Sequence, residues 1–370
     1  MRFADLVRRS TPRLFLVLCA VFLGACALLD PSPETPPPTL APTATQPPPS
    51  PTPEPEIGSD VRPIRILFTP ARGSSHAYPA ADALAGALHD LTGLFFETST
   101  PRSHQEAIER FCSFPETAIA FLTAVDYVLA RKACGAEVGA MSTHGGLEWS
   151  AAMAFVPRES EYETLSDLDG KTWVYPSTTS FESYLYPIHM FRQAGVSPVR
   201  ILSAGNDGAS VAAVYNGMAD FGTAFYVPAW VDGKPTDWNP GDPFDVPEVL
   251  ARFCTTTADN KAILCTNINV RDARREVRAQ FSDVVQKVRV LAITPRLPND
   301  AVSFGAGMPT DLREMLVTAL FDLVEHNPEG FVRMMAPYEW TGLINAADSD
   351  FAAARIVVDE EQIGLEDLDS

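Results

Sequence analysis

Leu165-Ser166-Asp167-Leu168-Asp169-Gly170-Lys171-Thr172-Trp173-Val174-Tyr175-Pro176-Ser177-Thr178-Thr179-Ser180 is the stretch on which the fold turns. A turn-rich lead ends at Gly170, an apolar strand is expected over Thr172–Tyr175, and four hydroxyl residues follow it. A helical pattern then runs over residues 184–194. Strand, polar turn and helix in that order form one unit of an α/β layer. The helix start offers unpaired N–H groups and the positive end of a dipole, to which Ser177, Thr178, Thr179 and Ser180 add donors. One hydroxyl would serve as an ordinary N-cap. Four exceed that need and point to contact with an anion or polar ligand.

The same rhythm extends in both directions. Upstream, strands are expected at 64–69, 94–97 and 118–122, with helices at 78–91, 105–111 and 124–132, before an apolar run over 149–156 that Pro157 ends. Downstream come a strand at 199–202, a helix at 209–215 and a strand at 221–225. Residues 229–260, with Trp230, Trp238, several prolines and aspartates, read as an irregular insertion. A helix near 273–281, a strand at 287–293 and a long helix at 310–326 follow. This alternation predicts largely parallel sheets in two α/β lobes joined by two or three crossing segments.

In open α/β sheets ligands gather at the carboxyl ends of strands. Ser75 follows the first strand, and Thr123 and Tyr127 follow the third. In the second half, Gly205-Asn206-Asp207-Gly208 lies between a strand and a helix start, and Asp220 opens a strand. Ser75, Thr123, Tyr127, Ser177–Ser180, Asn206, Asp207 and Asp220 are therefore the candidate contacts of an interlobe cleft. Enzyme signatures are thin: GxSxG, HExxH and a glycine-rich phosphate loop are all missing. His144-Gly145-Gly146 lacks a nucleophile elbow, and Asp167-Leu168-Asp169-Gly170 lacks the later calcium ligands, so both read as turns. No catalytic residue, metal site or cofactor is expected.

At the amino terminus, Arg2, Arg8, Arg9 and Arg13 precede an apolar run over 14–23 that is too short to span a bilayer. Leu23-Gly24-Ala25-Cys26 then reads as a secretory signal over 1–25 with a lipobox, predicting a lipid anchor on Cys26 and an extracytoplasmic location. Twelve of the 32 prolines fall between Pro31 and Pro55, the mark of an extended stalk within residues 26–60. Loss of residues 1–25 moves the net charge from −19 to −22. That acidity disfavours nucleic acid and anionic lipid as partners, leaving the acyl anchor as the membrane contact of a monomer. Cys112, Cys134, Cys254 and Cys265 form an even set, which in an oxidising compartment favours disulfides. Three pairings are open; the nearest-neighbour one is preferred, and a zinc site is disfavoured because CxxC spacing and nearby histidines are lacking.

Several motifs, taken in order, resemble the phosphate/phosphite/phosphonate-type substrate-binding proteins of ABC importers. They are residues 165–172 with the Pro-Ser-Thr turn ending at Tyr184-Leu185-Tyr186-Pro187, then Gly205-Asn206-Asp207, Val214-Tyr215-Asn216-Gly217-Met218-Ala219-Asp220, and residues 290–300. The resemblance runs from about residue 64 to 351. It implies a two-lobed type II periplasmic-binding-protein fold with a hinge, built of lobe 1 (61–151 and 294–354), lobe 2 (152–293) and an acidic tail (355–370). It also implies a small anionic or zwitterionic ligand and an ABC permease as partners, with Ser177–Ser180 donating to an oxyanion and Asp220 and Asp207 receiving any amine. This chain departs from the family in a turn about two residues longer, with Phe181-Glu182 inside it. Asn206 stands where histidine is usual, Leu122 where some members have tyrosine, and 229–260 has no counterpart. Rival expectations are a dicarboxylate or thiamin-precursor pyrimidine as cargo, a sensor role, a lipid-anchored hydrolase, or a surface module using the insertion.

Overall fold

The computed structural model describes residues 54–70 and 77–368; Cys26 and Ser75 lie outside them. The first layer opens with β1 (Ile64–Phe68), α1 (Ala77–Thr92), β2 (Phe96–Ser99), α2 (His104–Cys112), β3 (Ala118–Leu122), α3 (Ala124–Cys134) and β4 (Glu137–His144). The chain then builds a second layer from β5 (Ala152–Pro157), β6 (Thr172–Tyr175), α4 (Tyr186–Gln193), β7 (Arg200–Ser203), α5 (Asp207–Tyr215) and β8 (Phe221–Phe225). A small sheet follows, made of β9 (Trp230–Val231), β10 (Lys234–Pro235), β11 (Cys254–Thr256), β12 (Ile263–Cys265) and β13 (Ile268–Val270), with the short α6 (Glu248–Ala251) between β10 and β11. The short α7 (Val284–Lys287) leads into β14 (Val288–Ile293), which returns to the second layer. The first is completed by β15 (Ala301–Phe304), α8 (Thr310–His326), α9 (Pro328–Met334), β16 (Trp340–Asn345) and α10 (Ala352–Glu360).

The main sheets run β16-β4-β15-β3-β1-β2 and β14-β5-β8-β6-β7. Both are covered on two faces, and the period-2 alternation of side chains sorts each strand between them. Ile64, Ile66 and Phe68 of β1 join Ile119 and Phe121 of β3 under α1, α8 and α9. Leu67, Ala120 and Leu122 face α2, α3 and α10. In the second sheet Met153, Phe155 and Val174 pack toward α5, while Val156, Trp173 and Phe221 pack toward Phe191 of α4.

The sheets are mixed rather than largely parallel. β1 pairs in parallel with β2 and β3, and β6 with β7 and β8, whereas β5, β15 and β16 run antiparallel to their neighbours. These three strands begin at the edge where the chain crosses between sheets or leaves α9. They therefore enter from the end at which helix-fed strands finish. The two crossings, at 145–151 and 294–300, pair with each other: Ser150 N–H donates to Leu297 O at 2.9 Å, and Leu297 N–H donates back at 2.8 Å.

Residues 229–260, expected to be irregular, supply three strands of the antiparallel order β10-β9-β13-β12-β11. Strands of two or three residues are too short to display alternation, which hid them. Cys254 and Cys265 sit directly opposite each other on β11 and β12 and are bonded, as are Cys112 and Cys134 at the ends of α2 and α3. The nearest-neighbour pairing holds. The helix expected near 273–281 shortens to a 3-10 turn, Ala273–Val277, within which Arg274 is buried. Residues 355–370, expected as an acidic tail, begin with the end of α10. Its Ala354, Val357 and Val358 form a buried stripe at helical spacing that the flanking acids mask.

Candidate functional site

A cavity of about 1660 Å³ lies between the two main sheets, at the strand ends that face each other. Thr123 reaches it as the N-cap of α3, its hydroxyl accepting from Asp126 N–H at 3.2 Å. Thr179 and Ser180 reach it from beyond β6. Ser180 caps a π-helical turn, Phe181–Leu185, accepting from Ser183 N–H at 3.1 Å and donating to Glu182 Oε2 at 3.2 Å. A π turn holds an extra residue against an α turn. It takes up length in this long connection, and Glu182 lines the cavity.

Asp207, 3% exposed, also lines the cavity, its Oδ1 accepting from Phe225 N–H at 3.0 Å and Ser183 Oγ at 3.2 Å. Thr123, Thr179, Ser180 and Asp207 are thus brought together. The other expected residues are placed elsewhere. Ser177, whose hydroxyl lies 3.0 Å from that of Thr179, and Thr178 do not line the cavity. Asn206 caps α5, accepting from Ala209 N–H at 2.8 Å. Asp220 accepts from Thr172 N–H at 2.8 Å, tying the starts of β8 and β6 at the end away from the cleft. Tyr127 is core, donating to Asp348 at 2.8 Å and packed 4.6 Å from the Phe351 ring. Burial first, then Asp348, raises its phenol above the ordinary value.

Sequence reading missed the arginines that line the cavity beside its carboxylates, Arg271, Arg275 and Arg333. Arg271, just after β13, and Arg275 line the cavity, and neither makes an ion pair with a described residue. The Arg271 guanidinium stacks 4.4 Å over Trp230, and its Nε is buried with no hydrogen-bond partner among the described residues. Loss of solvent, then the like charge of Arg275, pulls its pKa below the ordinary guanidinium value. A buried, unpaired donor on a guanidinium is costly until an acceptor arrives, and an oxyanion is the best-matched acceptor. Run together, Arg271-Asp272-Ala273-Arg274-Arg275 was a detectable signal in a chain with 28 basic and 47 acidic residues.

Opposing these cations, Glu182, Asp207, Glu276, Asp300 and Glu339 also line the cavity. Loss of solvent, then the nearby Asp207 charge, raises Glu276 above the usual carboxylate range. Glu339 holds a left-handed backbone, φ 57°, immediately before β16. His104 Nδ1 lies 2.7 Å from Asp126 Oδ2, and His144 Nε2 lies 3.6 Å from Asp300 Oδ2. Burial works to lower the His144 pKa, but the Asp300 hydrogen bond and the charges of Asp300, Glu182 and Glu339 outweigh it and raise it. With a raised folded value, the stabilising contribution of the His144 cation is complete below the unfolded value of roughly 6.5. It is lost as pH rises through the folded value. In an NMR titration the His144 ring should show a midpoint above that of a model peptide, and Asp300→Asn should bring it down. An unchanged midpoint in the variant would assign the shift elsewhere.

The fold and cleft define a two-domain periplasmic binding protein. The chain belongs to the family of periplasmic phosphonate substrate-binding proteins of ABC transporters, whose model matches residues 66–351. Such proteins bind a small ligand and deliver it to a membrane permease; they are transporter components rather than enzymes. The chain resembles XAC2383 from Xanthomonas citri, solved with chloride ion, at 15% identity over 80% of this chain and 99% of that one, TM-score 0.54. It resembles PhnD1 from Prochlorococcus marinus, in complex with methylphosphonate, at 11% identity over 81% and 98%, TM-score 0.51. A binding protein component of an ABC phosphonate transporter from Pseudomonas aeruginosa, PA3383, matches at 14% identity over 81% and 86%, TM-score 0.50. At these identities the likeness is one of fold. No curated protein matches by sequence. Among the described residues no helix is long and apolar enough to cross a membrane.

Proposed function

We propose that this chain captures a small phosphonate-class oxyanion in the interlobe cleft and hands it to an ABC permease while anchored to the membrane through lipidated Cys26. The observation that carries the ligand class is the pair Arg271 and Arg275, two guanidinium groups in the cleft wall without ion-pair partners among the described residues. Thr179 and, across the cleft, Thr123 bring hydroxyls to the same cavity. Lobe 1 (61–151 and 294–354) and lobe 2 (152–293) close on the ligand about the paired crossings at Ser150 and Leu297. The proline-rich stalk keeps the domain near its permease, raising the local concentration.

A second reading is favoured by the carboxylates. Glu182, Asp207 and Glu276 stand in the same wall as the arginines, so a zwitterion with an oxyanion at one end and an amine at the other satisfies both sets. A thermal-shift panel decides between them. Phosphate, methylphosphonate, 2-aminoethylphosphonate, sulfate, a dicarboxylate and a pyrimidine are the probes. A ligand at 100 times its dissociation constant stabilises the native state by about 2.7 kcal/mol. Phosphonates should shift the melting point, with the amino compound ahead if the second reading holds. A shift from the dicarboxylate or pyrimidine alone would transfer the cargo to another class.

A further inference from the structure

The cavity, at about 1660 Å³, exceeds the usual ligand-site range of roughly 300–1,000 Å³, and a methylphosphonate occupies little of it. Part of the remainder is walled by aromatic rings. Trp149, Tyr226 and Trp230 all line the cavity. Trp149 is held from two sides, by the Arg296 guanidinium 4.9 Å above its ring and by the Trp238 ring at 5.9 Å. Arg296 is itself fixed by Asp237 at 3.2 Å and by the Trp238 carbonyl, and Trp238 Nε1 donates to Asp242 O at 3.1 Å. Tyr226 packs 6.2 Å from Trp238. These rings are ordered before any ligand arrives, so stacking on them costs little conformational freedom.

Arg271 links this wall to the oxyanion site. Its guanidinium stacks on Trp230 while its Nε lacks a partner, so an oxyanion bound to Arg271 carries its substituent alongside Trp230. We infer that the cleft takes a phosphonate-class oxyanion bearing a flat aromatic or heteroaromatic group, packed against the rings that line the cavity, Trp230, Trp149 and Tyr226. This rests on the oxyanion reading above and adds the substituent. The inserted small sheet that carries Trp230 then acts as the specificity element.

Calorimetric titration of the purified protein with methylphosphonate, cyclohexylmethylphosphonate and benzylphosphonate tests this. Benzylphosphonate should bind about tenfold tighter than methylphosphonate and about threefold or more tighter than its saturated analogue, the margin expected of ring stacking. Trp230→Ala should erase both margins, whatever common loss of affinity follows from unstacking Arg271, and Trp230→Phe should retain them. Equal affinity for methyl and benzyl compounds overturns the inference and leaves the proposed function standing. Equal affinity for cyclohexylmethyl and benzyl compounds overturns the aromatic assignment. Absence of binding by every phosphonate overturns the proposed function and this inference with it. Should Trp230→Ala fail to fold, the wild-type series alone decides between these outcomes.

Discussion

Replacing Arg274 with alanine should destabilise the second lobe by about 3–5 kcal/mol, the usual consequence of removing one partner from a buried ion network. Arg274 is 1% exposed. Its Nε and Nη2 donate to the two oxygens of Asp272 at 3.0 and 2.8 Å, and Nη1 donates to Val288 O at 3.1 Å and pairs with Asp245 at 2.8 Å. Burial works to lower its pKa, but Asp245 and Asp272 outweigh that and keep it charged. Asp245 in turn meets Arg158 at 3.2 Å and accepts from Val290 N–H on β14. The network thus joins the segment after the small sheet to β14 and to the turn after β5. Alanine would leave the Asp272 carboxylate buried without its cation and Asp245 with Arg158 alone. In a thermal melt the loss should be on the order of 10 °C for a domain of this size. A shift within one or two degrees would mean that water or a neighbouring arginine replaces the side chain.

Arg271→Ala with Arg275→Ala should abolish oxyanion binding while leaving the melting point of the free protein nearly unchanged. Each charge-assisted hydrogen bond is worth about 1.5–3 kcal/mol, so losing two weakens binding by roughly a hundredfold or more. The free protein should tolerate the change because neither side chain holds an ion pair among the described residues, and burying Arg271 beside Arg275 already depresses its pKa. Arg274, one residue from Arg275, is the contrast. It carries structure, whereas the proposed function assigns the other two to the ligand.

The fold was legible where the signal is local. Ala118–Leu122 and Thr172–Tyr175 are fully apolar or nearly so because both faces of the sheet are covered, and the structure keeps both ranges unchanged. Antiparallel β5, β15 and β16 were not legible, since strand direction depends on where the chain re-enters a sheet rather than on the strand's own residues. The site divides the same way. Thr179, Ser180 and Thr123 follow strands and start helices, so position alone placed them at the cleft. Asp207 and Asn206 are adjacent, and only the cap geometry decides that Asn206 bonds its own helix while Asp207 reaches the cavity. Asp220 has the right composition at the wrong end of a strand. Arg271 and Arg275 come from almost a hundred residues beyond Ser177, brought in by a sheet whose short strands left no periodic trace.

Calorimetric titration of the purified protein with 2-aminoethylphosphonate and methylphosphonate tests the central claim most directly. Saturable binding at one ligand per chain in the wild type, absent from the Arg271→Ala, Arg275→Ala variant, is the expected result. Binding of either phosphonate that survives in the variant, or no heat from any phosphorus oxyanion while a dicarboxylate or pyrimidine binds, would contradict it.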